Sequence, residues 1–336
     1  MSVAGKHILV TGGAGFIGSH IVDSLVQEGA VVTVYDNLSS GRVANLWRVV
    51  DRINFVEGDI LDCEHLKSAC RGMDIVSHQA AQLEIFKCID NPEEDLRVNT
   101  VGTLNVLRAC VANNVSKLVY ASSACIYGQP QALLQAEDHP HMPNWEYGVG
   151  KLAAEKYCWI YQANHNLPVV ALRYAIVYGP REWYRRVLPI FIKQVLTHNP
   201  PIIFGDGSAI RDFVYVEDVV KMHNMALVSD TANGESYNVG TGIGTTIHDL
   251  AHLVLEVAGS DLEHVFEDVP QGSFSKLVPD KRRNTAELQS MVLDSFKAHR
   301  ELGWRPKIDI REGICRELHW AAGHLDRWER VYSTQW

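Results

Sequence analysis

The sequence predicts an α/β protein, a doubly wound parallel sheet with helices on both faces followed by a smaller mixed unit. Three observations carry this expectation. Short apolar runs alternate with stretches of helical periodicity through the first half of the chain. A glycine-rich turn separates the first apolar run from the first helix. The alternation weakens after Tyr178-Gly179-Pro180-Arg181, where Pro189, Pro200, Pro201, Gly205 and Gly207 divide the chain into shorter pieces.

The first strand is His7-Ile8-Leu9-Val10, and it leads into Thr11-Gly12-Gly13-Ala14-Gly15-Phe16-Ile17-Gly18-Ser19-His20. Ile17, Ile21 and Leu25 then recur at helical spacing until Gly29-Ala30, and Val31 to Tyr35 reads as a second, buried strand. Glycines in such a turn let the backbone approach a pyrophosphate, whose charge suits the N-terminus of the helix. Asp36 closes the second strand, where a carboxylate holds ribose hydroxyls and repels a 2'-phosphate. The pattern therefore predicts the Rossmann arrangement and NAD rather than NADP.

Further strands are expected at Ile53 to Val56, before Gly58-Asp59-Ile60, and at Met73 to His78 and Lys117 to Ala121, the last ending in Ser122-Ser123. A helix is expected over Val98 to Ala112, with apolar residues at 98, 101, 104, 107 and 111. An amphipathic helix follows Tyr147 through Ala154, Tyr157 and Ile160, and Val169 to Arg173 is another strand. Phe213 to Val216 leads into a helix from Val219, Ser236 to Gly240 reads as the last strand of the sheet, and the remainder reads as helical. The expected division is a nucleotide-binding unit over 1–172 with return segments at about 212–242, and a smaller unit from 173–211 and 243–336.

Composition sets outer bounds. The chain has 336 residues, 46% hydrophobic and 21% charged, which suits a large packed core. Its 31 basic against 40 acidic side chains give a net charge of -9, so nucleic acid and anionic membranes are not expected partners. No apolar run reaches the roughly 18 residues of a membrane span, and Lys6 passes directly into a strand, so a cytoplasmic protein is expected. The seven cysteines form no Cys-x-x-Cys pair, which fits neither a metal site nor a disulfide framework.

Tyr147 and Lys151 lie four residues apart at the start of a predicted helix, hence on one face of it. An ammonium beside a phenol favours the phenolate, which makes a base of the tyrosine. The glycine turn, Asp59, His78 and Ser123 all fall at carboxyl ends of strands, where ligands bind in parallel sheets, so one crevice should collect them.

These motifs together resemble the extended short-chain dehydrogenase/reductase family, and within it the NAD-dependent nucleotide-sugar 4-epimerases of the UDP-glucose (galactose) epimerase type. The resemblance covers nearly the whole chain. It runs through residues 11–20, Asp36 to Gly41, Gly58-Asp59-Ile60, His78 to Gln82, Val98 to Thr103 and Ser122 to Gly128. It continues through Tyr147 to Lys151, Arg173 to Arg181, Arg211 to Val219 and Leu302-Gly303-Trp304.

The resemblance implies that NAD meets the glycine turn through Gly12, Gly15, Phe16, Ile17 and Gly18, and the next strand end through Asp36, Asn37, Ser39 and Gly41. Asp59, Ile60, Ala80, Ala81, Gln82, Asn99, Ser122, Tyr147, Lys151 and Tyr174 complete the implied cofactor set. Tyr147 is implied to take the proton of the sugar 4-hydroxyl, with Ser123 sharing that proton and Lys151 lowering the phenol's pKa. The C4 hydride passes to NAD and returns to the other face of a 4-keto sugar. The implied substrate set is Glu84, Ser123, Cys125, Tyr147, Ile176, Arg185, Arg211 and Arg283, with the arginines on the UDP diphosphate. Members of the family commonly dimerise through the helix carrying Tyr147, and Leu152, Tyr157 and Ile160 are compatible with a homodimer here.

Several positions depart from the family pattern. Ile176 replaces the asparagine that contacts the sugar diphosphate, and Glu84 stands where a small serine faces the sugar. The loop Glu182-Trp183-Tyr184-Arg185-Arg186 is shortened, with residues suited to a nucleobase or a carboxylate, and residues 281–283 lie off the usual distance from Asp294. Sugar dehydratases and decarboxylases of this fold carry an acid after the strand-end serine, whereas this chain has Ala124. A binding protein without turnover is the alternative from another class.

Overall fold

The computed structural model describes residues 2–182, 185–279, 281–285 and 287–325. In chain order the first half forms β1 (His7–Thr11), α1 (Phe16–Gln27), β2 (Val31–Asp36), β3 (Asn54–Glu57), α2 (Cys63–Ala69) and β4 (Ile75–His78). There follow α3 (Ile85–Asp90), α4 (Pro92–Asp95), α5 (Thr103–Ala112), β5 (Lys117–Ser123), α6 (Glu146–His165) and β6 (Val169–Tyr174). The second half forms β7 (Ile176–Tyr178), α7 (Val187–Leu196), β8 (Ile202–Phe204), β9 (Ile210–Tyr215), α8 (Val216–Val228) and β10 (Ser236–Val239). It ends with β11 (Gly244–Thr246), α9 (Ile247–Val257), β12 (Val265–Glu267), β13 (Ser290–Met291), α10 (Phe296–Leu302) and α11 (Ile310–Ala322).

Seven strands form one parallel sheet in the order β10-β6-β5-β4-β1-β2-β3, so the chain reverses direction across the sheet between β1 and β4. Every residue of β4, β5 and β6 is buried, which is why these strands read as unbroken apolar runs rather than alternating ones. One face packs Leu9, Tyr35, Leu118 and Tyr120 against Leu66, Val106, Cys110 and Ala154. The other packs Ile8, Val10, Val34 and Val119 against Ile21, Leu25 and Val219, and that core continues into the second half through Phe213, Phe191 and Trp304.

The smaller sheet is centred on β9, parallel to β7 and β13 and antiparallel to β11, while β8 and β12 pair separately. The return to the large sheet, expected from 212, is made by α8 and β10; β9 belongs to the small sheet. The helix expected from Val219 begins at Val216. The segment expected to be helical after β10 contains β11, β12 and β13, each too short to print a strand periodicity. Residues Leu96–Gly102, expected to open a long helix at Val98, form a π-helical turn before α5. Gly102 is pressed against Ile60, where a Cβ would stand 2.5 Å from its Cδ1, so the segment is held close to β3's loop.

The two halves are pinned together by buried polar contacts. Arg181, in the left-handed region at φ 72°, donates to Asp23 Oδ2 at 2.6 Å and to Ser19 Oγ at 3.1 Å on α1. Asp218 Oδ2 accepts the backbone N–H groups of Lys307 and Ile308, and Trp304 Nε1 donates to the Asp218 carbonyl at 2.9 Å. No helix among the described residues is long and apolar enough to cross a membrane.

Candidate active site

The reversal point between β1 and β4 holds the glycine turn. Gly12 has φ 68°, and a Cβ there would lie 2.6 Å from the Ala80 backbone nitrogen, so only glycine lets the two strand ends close up. Gly15 N–H donates to the Gly12 carbonyl at 3.1 Å. Helix α1 then starts with Phe16 and Ile17, without a side-chain cap and without an acid in its first turn. Uncapped N–H groups at a helix start, behind a cradle that a Cβ would fill, fit a pyrophosphate.

Asp36 is buried at the end of β2, and its two oxygens accept N–H groups from Ala14 (2.9 Å) and Leu38 (2.8 Å). Burial raises its pKa, and those two backbone donors oppose the rise. Gly41 folds back on it, with room for no Cβ beside Asp36 Oδ1. Asn37 donates to Asp59 Oδ2 at 2.9 Å and accepts from Ser39 N–H at 3.0 Å. Asp59 Oδ1 accepts from Leu61 N–H, and Ile60 is buried beneath. The predicted residues at the ends of β1, β2 and β3 thus form one continuous rim.

His78, at the end of β4, is spent on structure. Its Nδ1 lies 2.7 Å from Thr11 Oγ1 and its Nε2 lies 3.0 Å from Thr103 Oγ1. Burial, with the Lys151 charge adding, pulls its pKa down to about 3, so the ring is neutral. After Ala80 and Ala81, Gln82 is gripped through its backbone. Asn99 Oδ1 accepts its N–H at 3.0 Å, and Asn99 Nδ2 donates to its carbonyl at 2.8 Å and to Asp95 Oδ1 at 2.6 Å. Asn99 is therefore the buried amide that ties the π-helical turn to the strand-end loop. Tyr174, at the end of β6, donates to Gln79 Oε1 at 3.4 Å.

Ser123 ends β5 and accepts from Cys125 N–H at 3.1 Å, and its hydroxyl is near enough to the Tyr147 phenol to favour the phenolate. Gly148 makes this approach sterically feasible, because a Cβ there would sit 2.5 Å from the Cys125 carbonyl oxygen. Lys151 is buried one turn further along α6, with Nζ 5.9 Å from the Tyr147 ring centroid and 4.9 Å from that of Tyr120. Burial draws the Lys151 pKa down to about 8, with Asp95 pulling the other way. The Tyr147 phenol, expected to be lowered by Lys151, is pushed up by burial, with Cys125 adding to the rise. Arg186 and the Ser123 hydroxyl oppose it. Loss of water around the phenolate outweighs the nearby charges.

Ser122 faces the other way. Its hydroxyl donates to Glu155 Oε2 at 2.5 Å, and Glu155 receives Arg173 Nη2 at 2.6 Å and Nε at 3.2 Å. Arg173 Nη1 donates to Tyr127 Oη at 2.8 Å, and Tyr127 donates to Asn238 Oδ1 at 2.6 Å. Tyr147, Lys151 and Glu155 form a stripe at i, i+4 and i+8. Its first two members face the crevice and the third anchors α6 to β6.

The substrate candidates divide. Cys125 lies beside Tyr147, and the charges of Arg186, Arg211 and Lys151 all reach its thiol. Arg211 is half-buried on β9, donates to the Ile210 carbonyl at 2.8 Å, and feels the charge of Glu287. Arg283 donates to Glu287 Oε2 through Nη2 (2.9 Å) and Nε (3.1 Å), and to the Val269 carbonyl. Glu287 thus pairs with Arg283 while its charge reaches Arg211, whereas Arg282 reaches Asp90 of α3 at 3.1 Å. Glu84 caps α3 by accepting Lys87 N–H at 3.2 Å, and its Oε1 lies 3.7 Å from Arg185 Nη1, so neither is simply solvated. Ile176 packs on the core. Trp183 and Tyr184 lie outside the described residues. Among the described residues no group of three or more His, Cys, Asp or Glu could hold a metal ion.

Sequence reasoning placed Arg185 among the substrate contacts and Arg186 with it in the loop over 182–186. Arg186 opens α7, whose Leu188, Phe191, Ile192 and Val195 are buried.

The match to known proteins agrees with this geometry. Residues 8–240 match the model of the NAD dependent epimerase/dehydratase family. The chain is 35% identical to a UDP-glucose 4-epimerase of Mycolicibacterium smegmatis over 92% of its own length and 96% of that protein's. It is 31% identical to a dTDP-glucose 4,6-dehydratase of Actinoplanes sp. over 96% of this chain and 99% of the relative. The crystal structure of a Thermus thermophilus UDP-glucose 4-epimerase in complex with NAD superposes with a TM-score of 0.85 at 36% identity, covering 95% of this chain and all of that one. The chain belongs to the NAD dependent epimerase/dehydratase family.

Proposed function

We propose that this protein epimerises a nucleotide sugar at C4, with a UDP-hexose or UDP-hexuronate as substrate and a 4-keto sugar as the transient species. The observation that carries this reading is Tyr147 at the start of α6 with the buried Lys151 one turn on and 5.9 Å from its ring, facing a strand end where Ser123 is followed by Ala124 rather than an acid. NAD, when bound, accepts the C4 hydride and returns it. The glycine turn, Asp36 and the Asn37–Asp59 rim would hold it, and Lys151, buried beside Tyr147, would hold the nicotinamide ribose. Tyr147 takes the 4-hydroxyl proton and gives it back, with Ser123 bridging phenol and sugar oxygen. Arg211 and Arg283 receive the diphosphate, and Arg283 exchanges Glu287 for phosphate oxygens when it does so.

Without Ile176 donating a polar contact, the arginines carry more of the anchoring. The rival is dehydration, favoured by the dehydratase relative. It needs an acid and a base to eliminate water across C5 and C6, and buried Ala124 supplies neither. Purified protein mixed with UDP-glucose, UDP-N-acetylglucosamine or UDP-glucuronate, without added NAD, should interconvert one pair of C4 epimers by proton NMR. A 4-keto-6-deoxy product would establish the dehydratase instead, and no conversion of any sugar would remove the enzymatic reading.

The same proposal includes self-association. Leu96 and Val101 of the π-helical turn, and Val149, Tyr157 and Ile160 of α6, are exposed apolar residues on neighbouring elements. We read them as the face of a homodimer.

A further inference from the structure

Helix α3 begins shortly after Gln82, at the carboxyl end of β4, and so borders the crevice. It is held at both ends by residues from the second half of the chain. At its start, Glu84 Oε1 lies 3.7 Å from Arg185 Nη1. At its end, Arg282 Nη1 donates to Asp90 Oδ1 at 3.1 Å, and the Arg282 guanidinium carbon stands 5.6 Å from the centroid of the Phe86 ring, within cation–π range. Arg282 Nε also donates to the Gly272 carbonyl at 2.9 Å, so one side chain grips both α3 and its own segment. Asp90 is largely exposed, and the ion pair alone is therefore weak. The aromatic face and the Gly272 carbonyl make the grip a geometric one.

Arg282 sits in a short antiparallel pairing. Phe274 bridges Arg282, Gly272 N–H donates to the Arg283 carbonyl at 3.0 Å, and Arg283 N–H donates to the Ser273 carbonyl at 2.9 Å. Glu267 of β12 ties down the first run, its Oε1 accepting Lys276 N–H at 2.6 Å and its Oε2 the Ser275 hydroxyl. Successive residues of an extended run point to opposite sides. Arg282 accordingly meets α3, while Arg283 meets Glu287 and the Val269 carbonyl. The Arg283 guanidinium also lies on the turn after β8, where a Cβ on Gly205 would stand 2.9 Å from both of its Nη atoms.

We propose that Arg282 is a positioning residue for the substrate diphosphate: its grip on Phe86 and Asp90 fixes the run 281–283 beside α3 and so holds Arg283 where a diphosphate can take it from Glu287. The inference rests on the reading of Arg283 as a diphosphate ligand. When Arg283 leaves Glu287, the run loses that tie, and the clamp on α3 is what still keeps it at the crevice. Arg282 is spent on Gly272, Asp90 and Phe86, and it acts through its neighbour.

The test is calorimetric titration of the NAD-loaded protein with UDP. Arg282→Ala should weaken UDP binding about tenfold, the scale of one lost charge-assisted hydrogen bond. Asp90→Asn, which removes only the exposed ion pair, should weaken it about twofold, and Arg282→Lys should recover most of the alanine loss. Arg283→Gln should also weaken UDP binding, and adding Arg282→Ala to it should cost little more, because residues acting through one contact are not additive. With a sugar nucleotide that turns over, Arg282→Ala should raise KM and leave kcat in place, since Tyr147 and Lys151 are untouched. Wild-type UDP affinity in Arg282→Ala, a fully additive loss in the double variant, or a fall in kcat alone would each overturn the inference. Unchanged UDP affinity in Arg283→Gln would remove the diphosphate contact and this inference with it. UDP binding needs no turnover, so absence of epimerisation on every sugar would overturn the proposed reaction and leave the Arg282 result standing.

Discussion

Asp36 has a structural duty that its substitution would expose, besides the ribose contact proposed for it. As a carboxylate it accepts the N–H groups of Ala14 and Leu38, which fixes the glycine turn against the loop after β2. Leaving buried donors without an acceptor costs about 1–3 kcal/mol each. Asp36→Ala should therefore lower the melting temperature and also weaken NAD binding, the first read by thermal unfolding of the stripped protein and the second by calorimetry. Unchanged NAD affinity would refute the ribose contact. Tyr147→Phe should instead abolish turnover and keep NAD bound, because in the proposed reading the phenol serves only the reacting oxygen while Lys151 and the glycine turn remain. A fully active Tyr147→Phe protein would dismiss it as the base. At this scale much was legible in the sequence, since the i, i+4 spacing of Tyr147 and Lys151 places both on one helix face wherever the helix goes. The pairing of Arg282 with Asp90 was not legible, because it joins segments distant in sequence.

Helix α6 illustrates what a periodic pattern leaves out. The pattern predicted an amphipathic helix, but Glu155 on its inner face is fully buried and bound to Arg173 and Ser122. Burial alone would raise the Glu155 pKa; the hydrogen bonds and charge of Arg173, with the Ser122 hydroxyl, override it and hold the carboxyl below the usual glutamate range. A depressed carboxyl contributes stability that is present above the unfolded value of about 4.3 and is lost as pH falls through its lower folded value. Urea unfolding should accordingly lose stability between about pH 5 and the lowered value, and Glu155→Gln should flatten that part of the curve. Glu155→Ala, which strands a buried guanidinium, should destabilise by about 3–5 kcal/mol at neutral pH. The neighbouring π-helical turn escaped the sequence for a different reason. Apolar residues at 98, 101 and 104 satisfy a helix whether its hydrogen bonds close at i+4 or i+5, and only the grip of Asn99 on Gln82 and the press of Gly102 on Ile60 distinguish the two.

For the whole molecule, the alternation of strands and helices predicted the large sheet, because each buried parallel strand leaves an apolar run that no surface element can mimic. The small sheet was obscure, since strands of two or three residues carry no period, and β9 read as part of the returning segment. Exposed Ile160 and Val149 offer a test at this level: Ile160→Glu should preserve the far-ultraviolet circular dichroism and convert a dimer to a monomer in sedimentation. A wild-type monomer would remove that surface from consideration.

The position of β10 carries a consequence for biosynthesis. The seventh strand of the large sheet comes from residues 236–239, and it covers the open side of β6, with Ala171 N–H reaching the Glu235 carbonyl at 3.1 Å and Ala175 N–H reaching Val239 at 3.0 Å. While the ribosome is still making β7 through α8, six strands can assemble but β6 remains an unpaired, wholly buried-type edge, the kind that recruits a second chain. A nascent chain stalled there would present an adhesive surface that the finished protein never shows. The order in which this gene product is translated thus makes the middle of synthesis, rather than its end, the interval when a chaperone matters most.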